Sequence, residues 1–192
     1  MKIARAVIEN FRQIEHLELD FTDSLGRVRA LLLLVGPNAS GKTTVLDALA
    51  LAVGIPTKLP CLRRGMSLRP SAVVRRGALR ARVTCVVRFC QEEVVATREL
   101  LRLAEESLPV PDLSEVRLTW ELPDPDENSQ LGRVTIEPTE ASVLFTTRRK
   151  TAHLISTGLL STAALERAGA VFTFDQQRTG IGLWVRRDIL DI

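Results

Sequence analysis

Polar and apolar residues alternate strictly through His16-Leu17-Glu18-Leu19-Asp20-Phe21, the period of a strand with one face buried. Residues 2–8 are apolar-rich and predict a partner strand joined to it through residues 10–13, so the chain opens as a hairpin. After a turn at residues 22–26, residues 30–35 run apolar without alternation. That pattern predicts a strand covered on both faces, as a central parallel strand is. Residues 36–41 break the run, and residues 42–53 predict a helix stopped by Gly54 and Pro56. Its apolar residues lie nearly all round, which predicts a buried helix.

Further along, strands are predicted at residues 82–89, 116–122, 134–137 and 142–147, while residues 94–103 fit a strand or a helix. Residues 107–114 and 123–132, each with two prolines, predict loops. Residues 162–168 predict a short helix closed by Gly169, and residues 171–174 a last strand. The pattern is that of a single α/β domain over residues 1–192. Residues 1–58 hold the hairpin and a strand–loop–helix unit, 59–150 a β-rich subdomain, and 151–192 a helix and strand returning to the core sheet.

Composition narrows the class. Apolar residues make up 45% of the 192 and charged residues 26%, which excludes a disordered tail or a collagen-like chain. The longest apolar run has six residues, far short of the ~20 that span a bilayer. With no secretory signal at the start, a cytoplasmic location without membrane contact is expected. Cys61, Cys85 and Cys90 form no C-x-x-C pair and have no histidine at a ligand spacing, so neither zinc nor a disulfide framework is expected.

Net charge is only +3, but the charges are segregated. Residues 61–90 hold eight arginines and no acid, whereas residues 105–127 hold eight acids against Arg117 alone. Either the arginines, Arg75, Arg76, Arg80 and Arg82 among them, face nucleic-acid phosphates, or they are solvated or paired with that acidic stretch. Only Phe89 interleaves them and the chain has no Tyr, so stacking on single-stranded bases has no support.

The chemistry sits in the break after residues 30–35. Gly36-Pro37-Asn38-Ala39-Ser40-Gly41-Lys42-Thr43 fits G-x-x-x-x-G-K-[ST], a loop that cradles phosphates when a strand precedes it and a helix follows. Glycines let consecutive N–H groups turn inward as an anion nest, placed at the positive end of a helix. Lys42 would reach the β- and γ-phosphates and the Thr43 hydroxyl would ligate Mg²⁺.

Asn10-Phe11-Arg12 at the end of the first strand, the Leu17–Phe21 strand, and the run from Gly36 through Thr43-Thr44-Val45-Leu46-Asp47 to Leu49 together resemble the N-terminal half of ABC-type ATPase heads of the SMC, RecF and OLD kind. Ala39 resembles the OLD-like, AAA-annotated members, where SMC heads more often carry Gly. Arg75-Arg76-Gly77 before the 82–89 strand resembles the stretch after their first helix. The resemblance implies a P-loop NTPase fold, an ABC-ATPase-like lobe with a mixed central sheet and an antiparallel β subdomain. It implies ATP and Mg²⁺ as cofactors, with Asn38 to Thr44 on the triphosphate and Arg12 near it. It further implies an ATP hydrolase whose heads pair around nucleotide and act on DNA in repair, recombination or phage defence, often beside a nuclease.

A complete head of that kind also needs a signature motif and a Walker B Asp-Glu. The nearest matches are Leu154-Ile155-Ser156-Thr157-Gly158 and Val171-Phe172-Thr173-Phe174-Asp175, with Gln176 where the catalytic Glu would stand. Three readings stay open: Asp175 closes a Walker B strand, Gln176 or Arg178 senses Mg²⁺ and γ-phosphate, or the segment is a plain strand end. Under the second, a further lobe or chain supplies Walker B and signature. Competing functions are a compact P-loop NTPase or small kinase using Asp175 as its Mg²⁺ acid, and a nucleotide-dependent interaction module without turnover.

Overall fold

The computed structural model describes residues 1–57, 68–103, 109–124 and 131–147. Strand β1 (Lys2–Phe11) and strand β2 (Ile14–Asp20) form the expected hairpin, with Ala6 opposite Leu19 and Ile8 opposite Leu17. The helix α1 (Lys42–Thr57) follows, then a single turn α2 (Pro70–Val73), β3 (Ala81–Arg88), α3 (Gln91–Leu103), β4 (Glu115–Leu122) and β5 (Arg133–Glu137). The strands make one sheet in the order β2-β1-β3-β4-β5, antiparallel at every junction.

Period-2 alternation gives this sheet two unlike faces. Ala4, Ala6 and Ile8 of β1, Val83, Cys85 and Val87 of β3, and Val116, Leu118 and Trp120 of β4 are all buried. α1 lies across these strands and contributes Val45, Ala48, Leu51 and Ala52 to the same core. Each large apolar side chain so buried is worth about 1.5–3 kcal/mol. The Phe11 ring meets Trp120 edge-on at 6.0 Å, tying the end of β1 to β4.

The opposite face carries charges in cross-strand pairs. Arg82 of β3 bridges Glu121 of β4 at 2.7 Å and Glu9 of β1 at 3.9 Å, and Arg88 reaches Glu115 at 2.9 Å.

Several expectations are corrected. Residues 30–35 form no strand: they join no ladder among the described residues, and Leu31, Leu33 and Val35 are about 80% exposed. An unalternating apolar run needs cover on both faces, and of the run only Leu34 packs on the described core. The described sheet is thus the antiparallel part of the expected α/β fold, and no parallel pairing occurs among the described residues. α1 does not stop at Gly54 but runs to Thr57 with Pro56 inside it, since burial of Leu51, Ala52 and Val53 outweighs the ~1 kcal/mol that a helical glycine costs.

Residues 142–147 are helical rather than extended. Ala141, Leu144 and Phe145 are buried at helical spacing, and Phe145 packs edge-on against Phe89 at 5.6 Å; this packing overrides the β-propensity of Val143, Phe145, Thr146 and Thr147. The ambiguous residues 94–103 belong to α3, whose Val94, Thr97 and Leu101 are buried at helical spacing. Its first turn is closed by Glu93, which accepts from the Cys90 backbone N–H at 2.9 Å in the manner of a capping box. The helix and strand expected at residues 162–168 and 171–174 lie outside the described residues.

Candidate functional site: the loop before α1

Two residues of the loop, Ala39 (φ +64°) and Gly41 (φ +89°), take left-handed backbone, and the first helical bond runs from Val45 N–H to Gly41 O at 3.0 Å. At Gly36 the backbone passes close to Ser40: a Cβ there would stand 2.8 Å from Ser40 Oγ, and that hydroxyl would have to turn away. The loop thus folds back over the N-terminus of a helix that is buried against the sheet. Lys42 Nζ donates to Gly36 O at 2.7 Å and Pro37 O at 2.6 Å, bringing the ammonium into the bend. Gly36, Pro37, Asn38, Ala39, Ser40 and Thr43 are solvent-facing, and Thr44 is buried.

The turn between β1 and β2 comes up beside this helix. Asn10 and Arg12 both have positive φ, 51° and 52°, which aims the Arg12 and Gln13 side chains at α1. Arg12 Nη1 donates to Asp47 Oδ2 at 2.7 Å, its guanidinium lying 5.4 Å from the centre of the Phe11 ring. Gln13 Nε2 donates to Thr44 Oγ1 at 2.8 Å. Arg12 is therefore adjacent to the loop's helix, but its charge is engaged by Asp47 rather than turned to the loop.

Gln13 and Asp47 escaped the sequence reading. Asp47 carried a signal, as the one acid in an otherwise apolar helix, since such a residue is seldom buried without a partner. Asp175 and Gln176, with the signature candidate at 154–158, lie outside the described residues.

The arginines part company. Arg80 and Arg82 pair with Glu121, and Arg88 with Glu115, which is the pairing with the acidic stretch. Arg75 instead reaches Glu15 of the hairpin at 2.8 Å. Arg76 is exposed and has no ion-pair partner among the described residues. It lines an open hollow of about 480 Å³ together with Asn10, Arg75, Gly77 and Arg80.

Among the described residues no His, Cys, Asp and Glu cluster could hold a metal, and no helix is long and apolar enough to cross a membrane.

Comparison with known proteins falls on the hairpin, the loop and α1. Residues 1–54 match the AAA ATPase domain. The matched segment takes in Arg12, the whole loop and Asp47, the stretch that carries the resemblance to SMC, RecF and OLD heads. No curated protein matches the chain. Among solved structures, one described as "Structural biochemistry of ATP-driven dimerization and DNA stimulated activation of SMC ATPases" is similar at 17% identity, with a TM-score of 0.49, over 78% of this chain and 80% of that one.

Proposed function

We infer that the chain binds Mg²⁺-ATP at residues 36–44 and is the nucleotide-binding part of an ATPase. The observation that carries this is the loop itself. Its left-handed Ala39 and Gly41 deliver the chain into the N-terminus of a buried helix with Lys42 in the bend, where backbone donors and the helix dipole favour phosphate. Lys42 would neutralise the β- and γ-phosphates, and Thr43, exposed on the first turn of α1, would ligate the metal. Mg²⁺ would supply charge neutralisation at the same oxygens. Asp47 is committed to Arg12, so the carboxylate that orients an attacking water comes from elsewhere: from Asp175 with Gln176, or from a second lobe or subunit closing over the nucleotide. A paired head of this kind, coupling ATP to work on DNA in repair, recombination or defence, is the setting we favour; a nuclease partner and a cytoplasmic location belong to the same reading.

Lys42→Ala tests it. Affinity for Mg²⁺-ATP should drop about a hundredfold or more, as befits loss of a charged contact to phosphate. The melting temperature should hold, because Lys42 lies outside the core. A variant that binds like wild type overturns the site. Phosphoryl transfer to a small acceptor by a verified monomer would instead make the chain a compact kinase-like enzyme.

A further inference from the structure

Resting on residues 36–44 as the triphosphate site, we propose that Gln13 is a positioning residue of that site, directing the Thr44 hydroxyl proton at a phosphate oxygen. Thr44 is the third residue of α1 and only 6% exposed. Its Oγ1 accepts from Gln13 Nε2 at 2.8 Å. A hydroxyl carries one proton besides its acceptor lone pairs, and that proton has no acceptor among the described residues.

The other helical threonines with hydroxyl bonds behave differently. Thr97 donates to Glu93 O at 2.7 Å, Thr146 to Ser142 O at 2.9 Å and Thr147 to Val143 O at 2.7 Å, each four residues back. For Thr44 the residue four back is Ser40, which belongs to the loop and not to the helix. Thr44 is thus a nearly buried donor kept out of the usual local bond, at the mouth of the loop. A buried donor left unmatched is costly, and an incoming oxygen removes that cost.

The absence of a side chain at residue 41 leaves room for the Gln13 amide beside Thr44. A Cβ on Gly41 would stand 3.2 Å from Gln13 Nε2. Fastening the hairpin to α1 does not require this bond, since Arg12 and Asp47 already do so one helical turn on.

A double-mutant cycle on the full chain tests the proposal, with Mg²⁺-ATP affinity measured for wild type, Gln13→Ala, Thr44→Val and the double variant, alongside melting curves. Each single variant should bind about tenfold more weakly, the scale of one hydrogen bond to a charged oxygen. The double variant should bind no more weakly than Thr44→Val alone, because Gln13 acts through that hydroxyl. Gln13→Glu keeps the tie but accepts the Thr44 proton, so it should bind more weakly than Gln13→Ala while melting like wild type. Wild-type affinity in Gln13→Ala, or losses that simply add in the double variant, overturns the proposal while the site stands. Failure of wild type to bind Mg²⁺-ATP overturns both.

Discussion

Cys85 and Cys90 sit five residues apart in sequence and in opposite environments. Cys85 points into the core from β3, and burial pushes its thiol up to about 12, whereas Cys90 is exposed at the start of α3. Alkylation at pH 8 with mass mapping should label Cys90 and spare Cys85 in the native chain; equal rates would contradict the strand register. The same burial makes stability depend on pH. Above the ordinary thiol range the unfolded chain releases the Cys85 proton and the folded chain keeps it, so stability falls as pH rises from about 9 toward 12. Between roughly pH 8 and 10, wild type should lose about 1–2 kcal/mol more than Cys85→Val, read from urea midpoints. That figure depends on the unfolded thiol alone, because the folded one is still protonated across the window.

At the scale of elements, two contacts separate packing from chemistry. Arg12–Asp47 joins the hairpin to α1, with Asp47 buried and Arg12 still 23% exposed. Asp47→Ala should cost about 2 kcal/mol, below the 3–5 kcal/mol of a fully buried pair because water reaches the guanidinium left behind. A loss under half a kcal/mol in thermal melts would show that the turn is held by other contacts. Across β3 and β4, Glu121 carries both Arg80 and Arg82. Arg82→Gln should therefore lose about 0.5–1 kcal/mol and leave the salt dependence of any duplex binding as it was. Arg76→Gln should leave stability alone; if this loop touches DNA, it should flatten the salt slope by roughly 0.9. Electrophoretic shifts at two salt concentrations distinguish the two arginines.

For the whole molecule, the described sheet has one face on α1 and one in a lattice of ion pairs, while Leu31, Leu33, Val35 and Leu46 are exposed near the loop. Apolar exposure of this kind and a committed Asp47 lead to the same expectation for the isolated chain. It should bind Mg²⁺-ATP yet release phosphate slowly, because positioning and charge stabilisation carry nearly all of phosphoryl-transfer catalysis. Fast phosphate release by a monomer verified by light scattering would show that residues 1–192 already hold a complete catalytic set.

Local pattern was enough wherever one short-range force dominated. Alternation in residues 16–21 placed β2, residues 82–89 and 116–122 read as the strands that became β3 and β4, and the spacing of Gly36, Gly41 and Lys42 located the loop, since each depends on neighbours within a few residues. Charge segregation left the arginines between nucleic-acid phosphates and a solvated or paired face, and only the structure put Arg80, Arg82 and Arg88 on the acids of residues 105–127. Tertiary structure decided the rest. Residues 142–147 became helical because Leu144 and Phe145 had a core to enter at helical spacing, a contact no local propensity encodes. Residues 30–35 stayed unpaired because a two-faced apolar strand needs neighbours that the described elements do not provide. The positive φ of Asn10 and Arg12 and the reach of Gln13 to Thr44, 31 residues away, exist only once the hairpin and α1 pack on the same sheet.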